Sequence, residues 1–179
     1  MFVRPATRTV FLALLTCLLV ALAAPAVASA AEFTVNSVID EQDEDPSNGV
    51  CKTPVFEGCT LRAALEEVND QEDPENTIKF DSTVFEGEEA DSIFVSSLLG
   101  ALPAIEFPTK IEAGSDCTAD GVEGAPCAGV IGLPGEPVFA VKANDTKISG
   151  LAITSGSVNI GVYKKAPASK RPGTGSGSG

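Results

Sequence analysis

Apolar positions recur at a helical period in one stretch of the chain and at a strand period in many others. In the segment Gly58-Cys59-Thr60-Leu61-Arg62-Ala63-Ala64-Leu65-Glu66-Glu67-Val68-Asn69, four apolar residues define a stripe. Leu61, Ala64, Leu65 and Val68 stand at i, i+3, i+4 and i+7, which predicts an amphipathic helix of about ten residues. Arg62, Glu66, Glu67 and Asn69 fall on the opposite face. Thr60 is placed to cap the first turn with its hydroxyl, while Ala63 leaves no partner for a reciprocal capping box. Asn69-Asp70 and then Pro74 supply the stop. So short a helix does not persist alone and must dock its stripe on something.

Elsewhere the apolar runs are short, β-branched or aromatic, and bounded by Gly, Pro, Asn or Asp. Strands are predicted over 31–39, 77–80, 92–97, 109–113, 128–133, 137–143, 146–154 and 157–163, with polar turns such as 71–76 between them. Late in the chain the runs recur: Phe139 to Ile160, Val130-Ile131 to Leu151-Ala152-Ile153, and Ile111 to Ile131 lie about 20 residues apart. A period of that length with more than one strand in it suits a stacked coil. It suits the short strands of a β-sandwich as well, and periodicity leaves the two open.

The residues around the helix carry a resemblance. Phe33-Thr34-Val35-Asn36, an acidic Gly-containing loop, Cys51, Cys59-Thr60-Leu61-Arg62-Ala63-Ala64 and Thr77-Ile78-Lys79-Phe80 together resemble the CSLREA domain. That family is named for a Cys-Ser-Leu-Arg-Glu-Ala signature and carries a Thr-Ile-x-Phe strand after it. Thr60 stands here for the Ser and Ala63 for the Glu, and the likeness spans about residues 32–82. The resemblance implies the N-terminal start of a right-handed parallel β-helix, pectin-lyase-like, on an exported bacterial protein, and it implies no catalytic residue. The expected fold is therefore mainly β, a parallel β-helix begun by a short capping helix. Its divisions are a signal peptide (1–30), a CSLREA-like cap region (31–82), β-helix coils (83–163) and a basic, Gly/Ser-rich tail (164–179). On this model the helix, held by Cys51 and Cys59, covers the strand edges of the first coil, which would otherwise invite aggregation.

Composition changes the picture in three ways. Residues 1–30 have the parts of an export signal: Arg4 and Arg8, an apolar run from Phe11 to Ala24, and Ala28-Ser29-Ala30 as a cleavage site. The run is short and Pro25 ends it, which argues against a retained membrane span, and the expected location is extracellular or on the cell surface. Cys17 lies within the signal, leaving Cys51, Cys59, Cys117 and Cys127 in an oxidising compartment. Three pairings are open to four cysteines. The local one, Cys51 with Cys59 and Cys117 with Cys127, is expected because each pair brackets a Gly/Pro-containing loop. Each bridge would stabilise by roughly 2–3 kcal/mol.

Charge is the third. The chain carries a formal −13, and all 25 acidic residues fall within 31–163. A phosphate backbone would be repelled, so nucleic acid is set aside as a partner. Residues 40–49 form an acidic loop in which Asp40, Asp43 and Asp45 are candidate calcium ligands, although the loop lacks the EF-hand spacing and charge runs are commonly just solvated. No other cofactor is implied.

The chain contains no histidine, which removes Ser-His-Asp and Cys-His nucleophile systems and the usual zinc ligands. No phosphate-binding Gly loop follows a strand. Lys110, Lys142 and Lys147, on predicted strands or beside them, are candidate carbohydrate contacts, with a polysaccharide or the cell envelope as partner. The expected function is a secreted or surface-exposed, non-catalytic structural and binding module. With no second cap in the sequence after Tyr163, the expectation is a truncated stub of a longer β-helix, the alternative being an open end met by another chain. The alternative is a fragment of a β-helix enzyme, lyase or hydrolase, acting on acidic polysaccharide; enzymatic activity is left undecided, with the balance against it.

Overall fold

A computed structural model gives the fold and describes residues 30–70, 75–86, 91–114, 117–119, 122–154 and 158–163. The expected export signal up to residue 29, the Pro74 helix stop and the tail after 163 lie outside these residues. The elements in chain order are β1 (Glu32–Val35), α1 (Leu61–Asp70), β2 (Asn76–Phe80), β3 (Ser92–Phe94), β4 (Thr109–Glu112), β5 (Cys117–Ala119), β6 (Val122–Ala125), β7 (Ala128–Ile131), β8 (Pro137–Val141), β9 (Lys147–Ser149), β10 (Leu151–Thr154) and β11 (Val158–Val162).

Among the described residues the fold is thus mainly strands with one short helix, and its sheets are parallel apart from a β5–β6 hairpin that no periodicity announced. Sheet 1 runs β1-β2-β4-β9, sheet 2 runs β3-β7-β10, and sheet 3 pairs β8 with β11. Ile105 bridges Val141 in parallel, extending sheet 3 by one position. Successive passes visit the sheets in one order: β2, β3, Ile105; then β4, β7, β8; then β9, β10, β11.

In-register pairing stacks like on like. Phe33, Ile78, Ile111 and Ile148 form one column in sheet 1, and Ile93, Val130 and Ile153 form one in sheet 2. In sheet 3, Phe139 faces Ile160 and Val141 faces Val162. Partners in a parallel ladder point to the same side of the sheet, so each column is one line of the core. Ile78, Ile93, Ile111, Val130 and Phe139 are fully buried within one continuous cluster that also takes in Leu61, Ala64, Leu65 and Val68 of α1. The recurrence of Phe139 at Ile160 is therefore a true stacking relation. That of Ile111 at Ile131 is not, because the two belong to different sheets.

The expected strand over 146–154 is two strands in two sheets. Gly150 divides them at φ 73°, and a Cβ there would collide with the Ala113 carbonyl, so the corner needs glycine. The corner before β9 is made at Asp145, φ 59°, within the Asn144-Asp145-Thr146 turn.

Helix α1 begins as its residues dictate. Thr60 Oγ1 accepts from the Ala63 N–H at 3.1 Å and donates to the Glu41 carbonyl at 2.6 Å. Its apolar stripe is buried, but the opposite face is not a solvent face. Arg62 and Glu67 are buried too, because the acidic loop and the segment 96–106 close over them. Asn69 accepts from Glu106 N–H and donates to the Ala104 carbonyl, tying the helix to the strand-like segment at Ile105. Both local disulfides are present, Cys51–Cys59 and Cys117–Cys127, in keeping with an oxidising compartment. Among the described residues no helix is long and apolar enough to cross a membrane.

Candidate functional site

Three strands of sheet 1 repeat one pattern, a polar residue on each side of an inward isoleucine: Thr77-Ile78-Lys79, Lys110-Ile111-Glu112 and Lys147-Ile148-Ser149. Strand alternation sends the flanking residues to the outer surface. Register then sorts them into two columns. One holds Glu32, Thr77, Lys110 and Lys147, and the other Thr34, Lys79, Glu112 and Ser149. With strands about 4.8 Å apart, the outer face is a closely spaced comb of ammonium, carboxylate and hydroxyl groups.

Ion pairs join the two columns, one across neighbouring strands and one along β4. Lys79 Nζ lies 2.7 Å from Glu32 Oε2, and Lys110 Nζ lies 2.8 Å from Glu112 Oε1. The hydrogen bond from Lys110 is the main reason the Glu112 carboxyl sits below its usual range, with the positive charges of Lys147 and Lys79 adding to it. The same bond, with the negative charges of Glu112 and Glu75, holds the Lys110 ammonium above its usual range. Lys147 is exposed beside Lys110, and among the described residues no carboxylate comes within ion-pair distance of it. Two like charges side by side in a ladder are unfavourable in the free protein and attract an anion. Lysines 79, 110 and 147 share this face in a chain of net −13.

Of the three lysines expected to touch carbohydrate, the structure brings together Lys110 and Lys147. Lys142 lies beyond β8 at the edge of sheet 3, paired with Glu106 at 2.8 Å. Lys79 and Thr77 belong to the face and were missed, although their alternation about Ile78 was there to be read.

The candidate calcium ligands do not converge. Both Asp40 carboxylate oxygens take a guanidinium bond from Arg62, at 2.8 and 2.9 Å, and Oδ2 also accepts the Ser96 N–H at 2.7 Å. Asp43 accepts from the Asp45 and Lys52 N–H groups, and Asp45 is exposed. Among the described residues no group of three Cys, Asp or Glu side chains is arranged to hold a metal ion. Asp40 is committed to Arg62, a buried guanidinium that needs a carboxylate beside it.

One cavity, of about 420 Å³, opens beside the Cys117–Cys127 bridge between Phe80, Phe85 and Glu86. Among the described residues its lining offers one carboxylate, that of Glu86.

No family model matches the chain, and neither a curated protein nor a solved structure matches it.

Proposed function

We propose that the chain is an exported, non-catalytic binding module whose sheet 1 face takes an anionic polysaccharide, such as a uronic acid polymer of a cell envelope. The observation that carries this reading is the in-register pairing of Lys110 with Lys147, flanked by Lys79, on the outer face of a parallel sheet. A linear polyanion laid across the strands would meet an ammonium at successive rungs while hydroxyls of Thr77 and Ser149 stay within reach of its own. Glu32 and Glu112 set the lysines in place and exclude a uniformly basic surface, which favours a spaced polyanion over nucleic acid.

The scaffold for that face is read as a right-handed parallel β-helix of three coils. Support comes from the fixed order in which each pass visits sheets 1, 2 and 3, from the stacked inward columns, and from the strong preference for right-handed crossovers between parallel strands. In this reading α1 is the cap of the first coil, as the resemblance of residues 32–82 to the CSLREA domain implies. Surface export is supported by the signal-like sequence of residues 1–30 and is compatible with the two disulfides.

The test is titration calorimetry of polygalacturonate against the exported chain at low and physiological salt. Binding that weakens with salt and is lost in Lys110→Gln/Lys147→Gln is expected. A chain that does not bind at low salt, or whose double variant binds equally well, overturns the reading. Appearance of new reducing ends or unsaturated products during the titration would replace binding by catalysis.

A further inference from the structure

The two ends of the stack differ. At the β1 end the inward residues are covered: Phe33 is 6% exposed and Val35 is fully buried, with α1 packed against them. At the other end the same inward columns run out uncovered. Phe139 is fully buried, and its register partner Ile160 is 42% exposed. Val141 is 7% exposed, and its partner Val162 is 81% exposed. In sheets 1 and 2, Ile111 and Val130 are fully buried while Ile148 and Ile153, the next in each column, are only partly so.

These last strands are also the open edges of all three sheets. Among the described residues β9, β10 and β11 each pair on one side only, with β4, β7 and β8. The Tyr163 N–H donates to Val141, so by alternation the Val162 N–H points to the open side. Exposed edges are ordinarily blunted with charge or proline. Residues 146–163 hold one lysine, no acidic residue and no proline, in a chain with 25 acidic residues and 12 prolines. An acidic protein thus has one end whose last strands carry no carboxylate to repel a like-charged copy.

We infer that the β9–β10–β11 end is a self-association surface, on which a second copy of this chain docks end to end about a two-fold axis crossing the coil axis. The inference rests on the three-coil reading above. Three edges must be met at once, and they lie around a single apolar centre. The same end of another copy offers three edges of the same spacing, and the two-fold sets them antiparallel, a pairing at least as stable as the parallel one. The segment 164–179, Lys-Lys-Ala-Pro-Ala-Ser-Lys-Arg-Pro-Gly-Thr-Gly-Ser-Gly-Ser-Gly, has no β-forming run to fill that role.

Sedimentation equilibrium of the exported chain, from about 1 μM to about 1 mM, decides this, with far-UV circular dichroism on the same samples. A reversible monomer–dimer equilibrium is expected. Val162→Lys and Ile160→Lys should each raise its dissociation constant at least about tenfold. Val162 is exposed in the single chain, so the β spectrum of its variant should be unchanged. Val55→Lys, on the exposed Cys51–Cys59 loop, should leave the equilibrium as it is. A folded chain that stays monomeric throughout, or a dimer indifferent to both edge variants, overturns the inference alone. A chain without a β spectrum overturns the three-coil reading with it.

Discussion

Asp40→Ala would remove one half of a buried ion pair and leave the other in place. The two side chains are 2% and 3% exposed. Asp40 accepts three hydrogen bonds, two from Arg62 and one from the Ser96 N–H. Arg62 also donates to the Ala101 and Gly100 carbonyls, at 2.9 and 2.8 Å. In the variant the guanidinium keeps those two neutral partners but loses the carboxylate bonded to it, and the Ser96 N–H loses its acceptor. A buried charge stripped of its partner costs about 3–5 kcal/mol, a large share of the roughly 5–15 kcal/mol that holds a domain of this size together. At about 3 °C per kcal/mol, the melting temperature should fall by on the order of 10 °C or more. Urea denaturation of Asp40→Ala, Arg62→Met and the double variant measures it. The double variant should be less destabilised than the sum of the two singles, since it leaves no orphaned charge. A loss below about 1 kcal/mol in Asp40→Ala, or strict additivity in the cycle, would refute the assignment of this pair as the tie between the acidic loop, α1 and the 96–101 turn.

Gly150→Ala should lower stability by more than the roughly 1 kcal/mol of a left-handed backbone penalty, because the new Cβ also meets the Ala113 carbonyl; a calorimetric melt reads the loss. Cys51→Ser/Cys59→Ser opens a short loop and should cost about 2–3 kcal/mol in urea, with the β spectrum retained at low temperature. Burial holds the Glu66 carboxyl above its ordinary value of 4.5, despite the Asp43 N–H it accepts. A raised folded value favours the folded state at acid pH, and that contribution is lost as pH rises through it. Glu66→Gln keeps an acceptor for Asp43 without the charge, so its melting temperature should be less dependent on pH between about 4.5 and 7, and no lower at pH 7 than that of the parent.

Much of this was legible in the residues, and particular physics explains what was not. The helix could be placed to the residue because a 3.6-residue stripe and a Thr60 cap are local features. The local cysteine pairing was readable from the Gly/Pro-containing loop that each pair brackets. The buried state of Arg62 was not, because a helical wheel knows only two faces, and the covering of the second depends on a loop 20 residues upstream and a turn 35 residues downstream. That same contact gives both carboxylate oxygens of Asp40 to Arg62, a partner that no feature of the acidic run announced. The Lys110–Lys147 pairing was half visible: both flank an isoleucine, but only three-dimensional register decides that they are neighbours while Lys142 lies elsewhere. The break at Gly150 and the β5–β6 hairpin escaped because each depends on one glycine or a short irregular loop, where the period-2 signal is too brief to read.

The most direct test of the binding face is a two-dimensional amide NMR titration of the exported, isotope-labelled chain with polygalacturonate oligomers at low salt. Shift changes confined to 77–79, 110–112 and 147–149 are expected, reversed by added salt. No changes, or changes concentrated on sheets 2 and 3, would contradict the assignment of sheet 1 as the surface this protein uses.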